Sequence, residues 1–126
     1  MALPRRWSIV SKYLITGGYT PEAWANMIEN PTSREQAARK LGEAGGAKLE
    51  AFYWSFGDDD FVAIYDCPDD VTAGALSVVA GSSGAFRHVR TTKLVTTDEA
   101  RKLLEKAKAA KGAYTPPTAR QPAGVR

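Results

Sequence analysis

Two runs rich in aromatic and β-branched residues, Lys48–Phe56 and Phe61–Asp66, are separated only by Gly57-Asp58-Asp59 and the residue that follows. Glycine and aspartate between two such runs mark a tight hairpin, so the middle of the chain is predicted to hold an antiparallel strand pair. That pair constrains everything around it, because helix signals stand on both sides. Upstream, Thr20-Pro21-Glu22 offers an N-cap, a proline at the first helical position and an acid in the first turn. Trp24, Met27 and Ile28 then share one apolar stripe. Asn30-Pro31 interrupts this helix, Ser33 with Gln36 restarts it through Leu41, and Gly45-Gly46 ends it. Downstream, Pro68-Asp69-Asp70 opens a second helix from Val71 to about Ala80.

Lys12–Tyr19 reads as a first strand and Ala85 to about Val95 as a fourth. Thr97-Asp98-Glu99 caps a last helix that runs to about Lys111. The order is β-α-β-β-α-β, a split βαβ arrangement of the ferredoxin-like kind. The predicted fold class is α+β: a four-stranded antiparallel sheet with helices on one face, plus a C-terminal helix. Residues 1–11 are expected to form an N-terminal extension, 12–111 the domain, and the proline-bearing 112–126 a disordered tail.

A chain of 126 residues fits one core. No run of about 18 apolar residues is present, so no membrane partner is expected. The basic N-terminus lacks the apolar region of a secretory signal. One cysteine, Cys67, excludes an internal disulfide, and one histidine, His88, argues against a His/Cys metal cage. A cytoplasmic location and no metal or other cofactor are the resulting expectations. The net charge of +3 suggests nucleic acid, but the charge map argues against it. Residues 13–95 carry seven basic and eleven acidic groups, and the basic excess lies in the two ends. A phosphate-tracking groove needs lysine and arginine gathered on a folded face.

The strands do not alternate cleanly between apolar and polar residues. Strict alternation puts Phe52, Trp54 and Phe56 on one face of the second strand and Leu49, Ala51 and Tyr53 on the other. In the third strand Val62 and Ile64 oppose Phe61, Ala63 and Tyr65. A sheet with aromatic area on both faces needs its open face covered, which points to a homodimer or higher homo-oligomer. Tyr13, Tyr53, Trp54 and Tyr65 are the candidate ligand-binding residues, able to line a pocket for a small apolar or aromatic molecule.

His88 and Arg90 are the candidate catalytic pair. Alternation along the fourth strand places His88 with Phe86, Arg90, Thr92 and Leu94, and points Arg87 the other way. A histidine between aromatic walls at a subunit interface can act as a general base. Asp58-Asp59-Asp60 lacks the convergent spacing of a metal site, and Asp60 is expected to bond turn amides. Acidic Asp66, Asp69 and Asp70 around Cys67 disfavour a reactive thiolate. Neither Gly17-Gly18 nor the glycine/serine loop at 81–84 has a phosphate-loop pattern.

Four segments together resemble the GYD domain family of small bacterial and archaeal proteins. They are Tyr13–Glu22, Gly45–Tyr53, Phe56–Ile64 and Gly84–Thr92, the last followed by Leu94. The resemblance implies a ferredoxin-like fold of the dimeric α/β-barrel type, and no settled activity. Gly57 and Asp60 fit the signature for which the family is named, while Asp59 stands in place of its aromatic residue. Two functions are weighed: a homo-oligomeric small-molecule-binding or interaction domain, and a cofactor-free enzyme of the monooxygenase or isomerase kind. The site of the second would lie between sheet and helices or between subunits.

Overall fold

A computed structural model describes residues 10–118. Strand β1 spans Ser11–Tyr19 and leads through Thr20 into helix α1, Pro21–Glu29. The Thr20 hydroxyl accepts from the Ala23 amide at 3.2 Å, which satisfies one of the orphan donors of the first turn. Helix α2, Arg34–Gly45, starts in the same way, with the Ser33 hydroxyl accepting from the Gln36 amide at 3.2 Å. It stops at Gly46, whose φ of 89° lies in the left-handed region that glycine enters without a Cβ penalty.

Strands β2, Lys48–Trp54, and β3, Phe61–Cys67, form the hairpin. Helix α3, Asp70–Ser82, is capped by Asp69, which accepts from the Thr72 amide at 2.8 Å. Strand β4, Phe86–Leu94, completes a four-stranded antiparallel sheet in the order β2-β3-β1-β4. This is the ferredoxin-like arrangement expected from the sequence.

The described residues fall into two units, one ending at Leu94 and the other beginning at Val95. The second holds helix α4, Thr97–Lys111, which begins with a capping box. Its N-cap is Thr96, one residue earlier than the sequence suggests, because Glu99 can return a bond to the cap amide only from three positions on. Most of the expected N-terminal extension and the end of the expected tail lie outside the described residues. Among the described residues no helix is long and apolar enough to cross a membrane.

The core of the first unit lies between the sheet and its helices. Tyr13, Ile15 and Tyr19 of β1 and Phe61, Ala63, Tyr65 and Cys67 of β3 are buried on the helix-facing side, with Leu76 and Ala73 of α3 above them. Gly42 brings α2 close: a Cβ there would sit 2.6 Å from the Tyr65 ring.

Two register shifts overturn the face assignments drawn from strict alternation. One lies at Glu50, between Leu49 and Ala51, so Leu49, paired with Tyr65, joins Phe52 and Trp54 on the helix side. Of Leu49, Ala51 and Tyr53, only the last two remain on the open face. The other lies where Gly18 pairs with His88 but Tyr19 pairs with Phe86, leaving Arg87 as the extra residue. Phe86 therefore faces the helices while His88 does not, and Arg87 joins His88 on the open side. An inserted residue reverses the side-chain parity of everything beyond it. As a result the aromatic rings gather under the helices, and Tyr53 is the aromatic side chain that the strands present on the open face.

Candidate functional site

Under α2 and α3 the aromatic residues do not fill the space they enclose. Ile15 and Tyr19 of β1, Phe52 of β2, Phe61, Ala63 and Tyr65 of β3 and Phe86 of β4 form the floor of a cleft. Ala37, Ala38 and Leu41 of α2 and Leu76, Val79 and Ala80 of α3 form its walls. Its volume is about 320 Å³, at the small end of the range of about 300–1,000 Å³ common for ligand sites. Alanine keeps it open: at positions 37, 38, 63 and 80 a larger side chain would occupy the volume.

The floor is rigid. Tyr19 stacks on Phe86 at 5.2 Å between ring centroids and meets the edge of Trp24 at 5.1 Å. Phe52 stacks on Phe61 at 6.0 Å, and Trp24 meets Trp54 at 5.4 Å. The Tyr65 hydroxyl donates to the Ala38 carbonyl at 2.6 Å, tying β3 to α2. Burial pushes that hydroxyl up to about 12, so it stays protonated in the physiological range.

At the mouth the chemistry changes. Tyr19 and Arg34 line both the apolar cleft and a neighbouring recess of about 240 Å³, whose other lining residues include Glu22, Asn26 and Ser83. Burial raises the Tyr19 hydroxyl above its ordinary value, against the opposing pull of the Arg34 guanidinium. An apolar interior with a few polar groups at one end is the usual construction of a small-molecule site.

The open sheet face carries a separate polar cluster. His88 Nε2 lies 2.7 Å from Asp59 Oδ1. Since a carboxylate can only accept, Nε2 carries the hydrogen. Arg90 Nη1 donates to the same carboxylate at 3.1 Å. The His88 bond, with the Arg90 charge beside it, holds the Asp59 carboxyl below the usual aspartate range. Arg87 Nη1 lies 3.4 Å from His88 Nδ1, the ring nitrogen left to accept.

Asp60 departs from expectation. Its carboxylate accepts from the Tyr19 amide of β1 at 2.9 Å rather than from its own turn. The register shift at Gly18/Tyr19 is where that amide lacks a ladder partner. The Asp60 amide donates to the Gly17 carbonyl at 2.7 Å, so the connection over residues 55–60, longer than a tight turn, is pinned onto the end of β1.

The structure brings His88 and Arg90 together on one carboxylate but does not gather the four aromatic candidates. Tyr65 alone of them lines the cleft. Tyr13 is buried at the other end of the sheet, hydrogen-bonded to Asp70, and burial with this carboxylate pushes its hydroxyl up to about 12. Trp54 belongs to the aromatic cluster on the helix side, and Tyr53 stands on the open face, 65% exposed. Sequence reasoning did not select Tyr19, Phe61, Phe86 or Arg34. Arg34 did leave a signal, being a cation in the first turn of a helix, where anions are favoured. Among the described residues no group of three His, Cys, Asp or Glu side chains is placed to hold a metal.

Fold and site together define a ferredoxin-like α+β domain with an apolar cleft between sheet and helices. The GYD domain family matches residues 13–104, and the chain belongs to that family. No curated protein matches its sequence. By structure it is similar to MtbAldR, with a TM-score of 0.54 and 16% identity over 76% of this chain. The chain spans 60% of the length of that protein. It is also similar to 30S ribosomal protein S6 from Thermotoga maritima, with a TM-score of 0.51 and 14% identity over 81% of this chain and 98% of that one. At such identities the likeness is one of fold alone.

Proposed function

We propose that this GYD domain is a small-molecule-binding module that works as a homo-oligomer, its ligand held between the sheet and helices α2 and α3. The observation that carries this reading is the alanine-walled cleft of about 320 Å³ over a floor of stacked aromatic rings. Its occupant is a small apolar or aromatic molecule, because the interior offers ring faces and methyl groups. Leu14, Val62 and Ile64, half-buried on the open sheet face, supply the apolar surface for self-association. A single buried free cysteine, Cys67, suits a reducing compartment such as the cytoplasm.

The test is titration with the neutral fluorophore N-phenyl-1-naphthylamine. Wild type should show a saturable rise in emission at one site per chain. Ala80→Phe, which fills the cleft from α3, should abolish it while retaining a cooperative thermal transition. No rise in wild type, or an equal rise in the variant, contradicts the reading.

A second reading is supported by the 2.7 Å contact between Asp59 and His88. A histidine oriented by a carboxylate is the arrangement of a general base, so a cofactor-free enzyme using His88 and Arg90 is the alternative. It ranks second because His88 lies on the sheet face opposite the cleft. A reaction found for this protein that survives His88→Ala removes it.

A further inference from the structure

Arg34 occupies a place where a cation has no local reason to be. It is the first residue of α2, where the helix dipole disfavours positive charge. Its neighbour Glu35 is taken by Arg39 at 3.0 Å, and among the described residues Arg34 has no carboxylate partner. Arg34 instead lines the cleft mouth together with Tyr19, where the apolar cleft opens into the polar recess.

From this we infer that the ligand is an amphipathic carboxylic acid, its apolar body in the cleft and its carboxylate on Arg34 and the Tyr19 hydroxyl. The inference rests on the cleft being the ligand site. The planar guanidinium presents paired donors that match the two oxygens of a carboxylate. The Tyr19 hydroxyl can donate to one of them, because burial keeps it protonated. Both anchoring groups sit at one end of the cleft, so the acid enters tail first. Glu22 is the acid among the residues lining the recess, and its charge works against the ligand rather than with it. A neutral ligand of the same shape would gain the apolar contacts and leave Arg34 unmatched.

Calorimetric titration of the full chain with 2-naphthoate and with its neutral isostere 2-naphthamide tests this. Wild type should bind the acid about tenfold more tightly than the amide, the difference expected of one charge-assisted contact. Arg34→Gln should erase that preference, bringing the acid down to about the affinity of the amide, while retaining a cooperative thermal transition. Arg34→Lys should retain part of the preference, and Glu22→Gln should tighten the acid alone. Equal affinity of wild type for acid and amide overturns the carboxylate assignment and leaves the cleft reading standing. A preference that survives in Arg34→Gln overturns the role of Arg34. Binding of neither probe overturns both the inference and the site on which it rests.

Discussion

Asp59 accepts a hydrogen bond from His88 Nε2 at 2.7 Å, joining the β2–β3 connection to the strand at the far side of β1. In this chain a charged contact secures the loop at that point, with Arg90 on the other carboxylate oxygen at 3.1 Å. His88 thus has a structural task whether or not it has a chemical one.

That pairing makes stability depend on acid. The folded-state pKa of Asp59 lies below its ordinary value of 3.8, chiefly through the His88 bond. The unfolded chain therefore takes up this proton first as pH falls. The contribution is fully present above about pH 4 and is lost as pH falls through the lower folded value. Asp59→Asn should be less stable than wild type at pH 7, and the gap should close toward pH 3. Urea midpoints at the two pH values measure this, and a gap that widens in acid contradicts it.

Gly17 is required by close approach rather than by its dihedral angles. A Cβ there would lie 2.6 Å from the His88 carbonyl oxygen and 2.9 Å from the Phe61 ring. The backbone oxygen cannot step aside without disturbing the β1–β4 ladder. Gly17→Ala should cost about 1–3 kcal/mol in urea denaturation, the usual range for overpacking. Wild-type stability in the variant would show that the strands can separate freely at this point.

Cys67 should be inert in the native protein. It is fully buried, and burial, with Asp66 and Asp69 beside it, pushes the thiol up to about 11. At pH 8 an aromatic disulfide reagent should react with it only after denaturant is added. Rapid labelling of the folded protein would mean that the end of β3 opens readily.

Self-association through the open sheet face has its own test. Ile64 faces away from the helices beside Val62 and Leu14. If copies join there, Ile64→Asp should convert an assembled wild type to a monomer in sedimentation velocity without unfolding it. A wild type that is monomeric at micromolar concentration removes this surface as an interface between copies.

The element order was legible in the sequence because its signals are local. Thr20 and Ser33 cap in the structure as their positions suggested, and Gly46 ends α2 in the left-handed conformation. What was not legible depended on single inserted residues. The shifts at Glu50 and Arg87 leave no mark in composition, yet they reverse the faces of Leu49, Phe86 and Arg87. The cleft was hidden for a related reason. Its openness comes from alanines on α2, α3 and β3 that look like ordinary helix formers or strand fillers until the elements are placed together. The contact between Asp59 and His88 joins residues 29 positions apart, beyond any spacing rule.

The central claim is that ligand binds between the sheet and helices α2 and α3. Its most direct test is amide chemical-shift mapping of the protein titrated with 2-naphthamide. Perturbations should gather at Ala37, Ala38, Leu41, Ala63, Leu76 and Ala80 and leave Val62, Ile64 and His88 unmoved. Shifts concentrated on those open-face residues, or none at millimolar probe, would contradict the account.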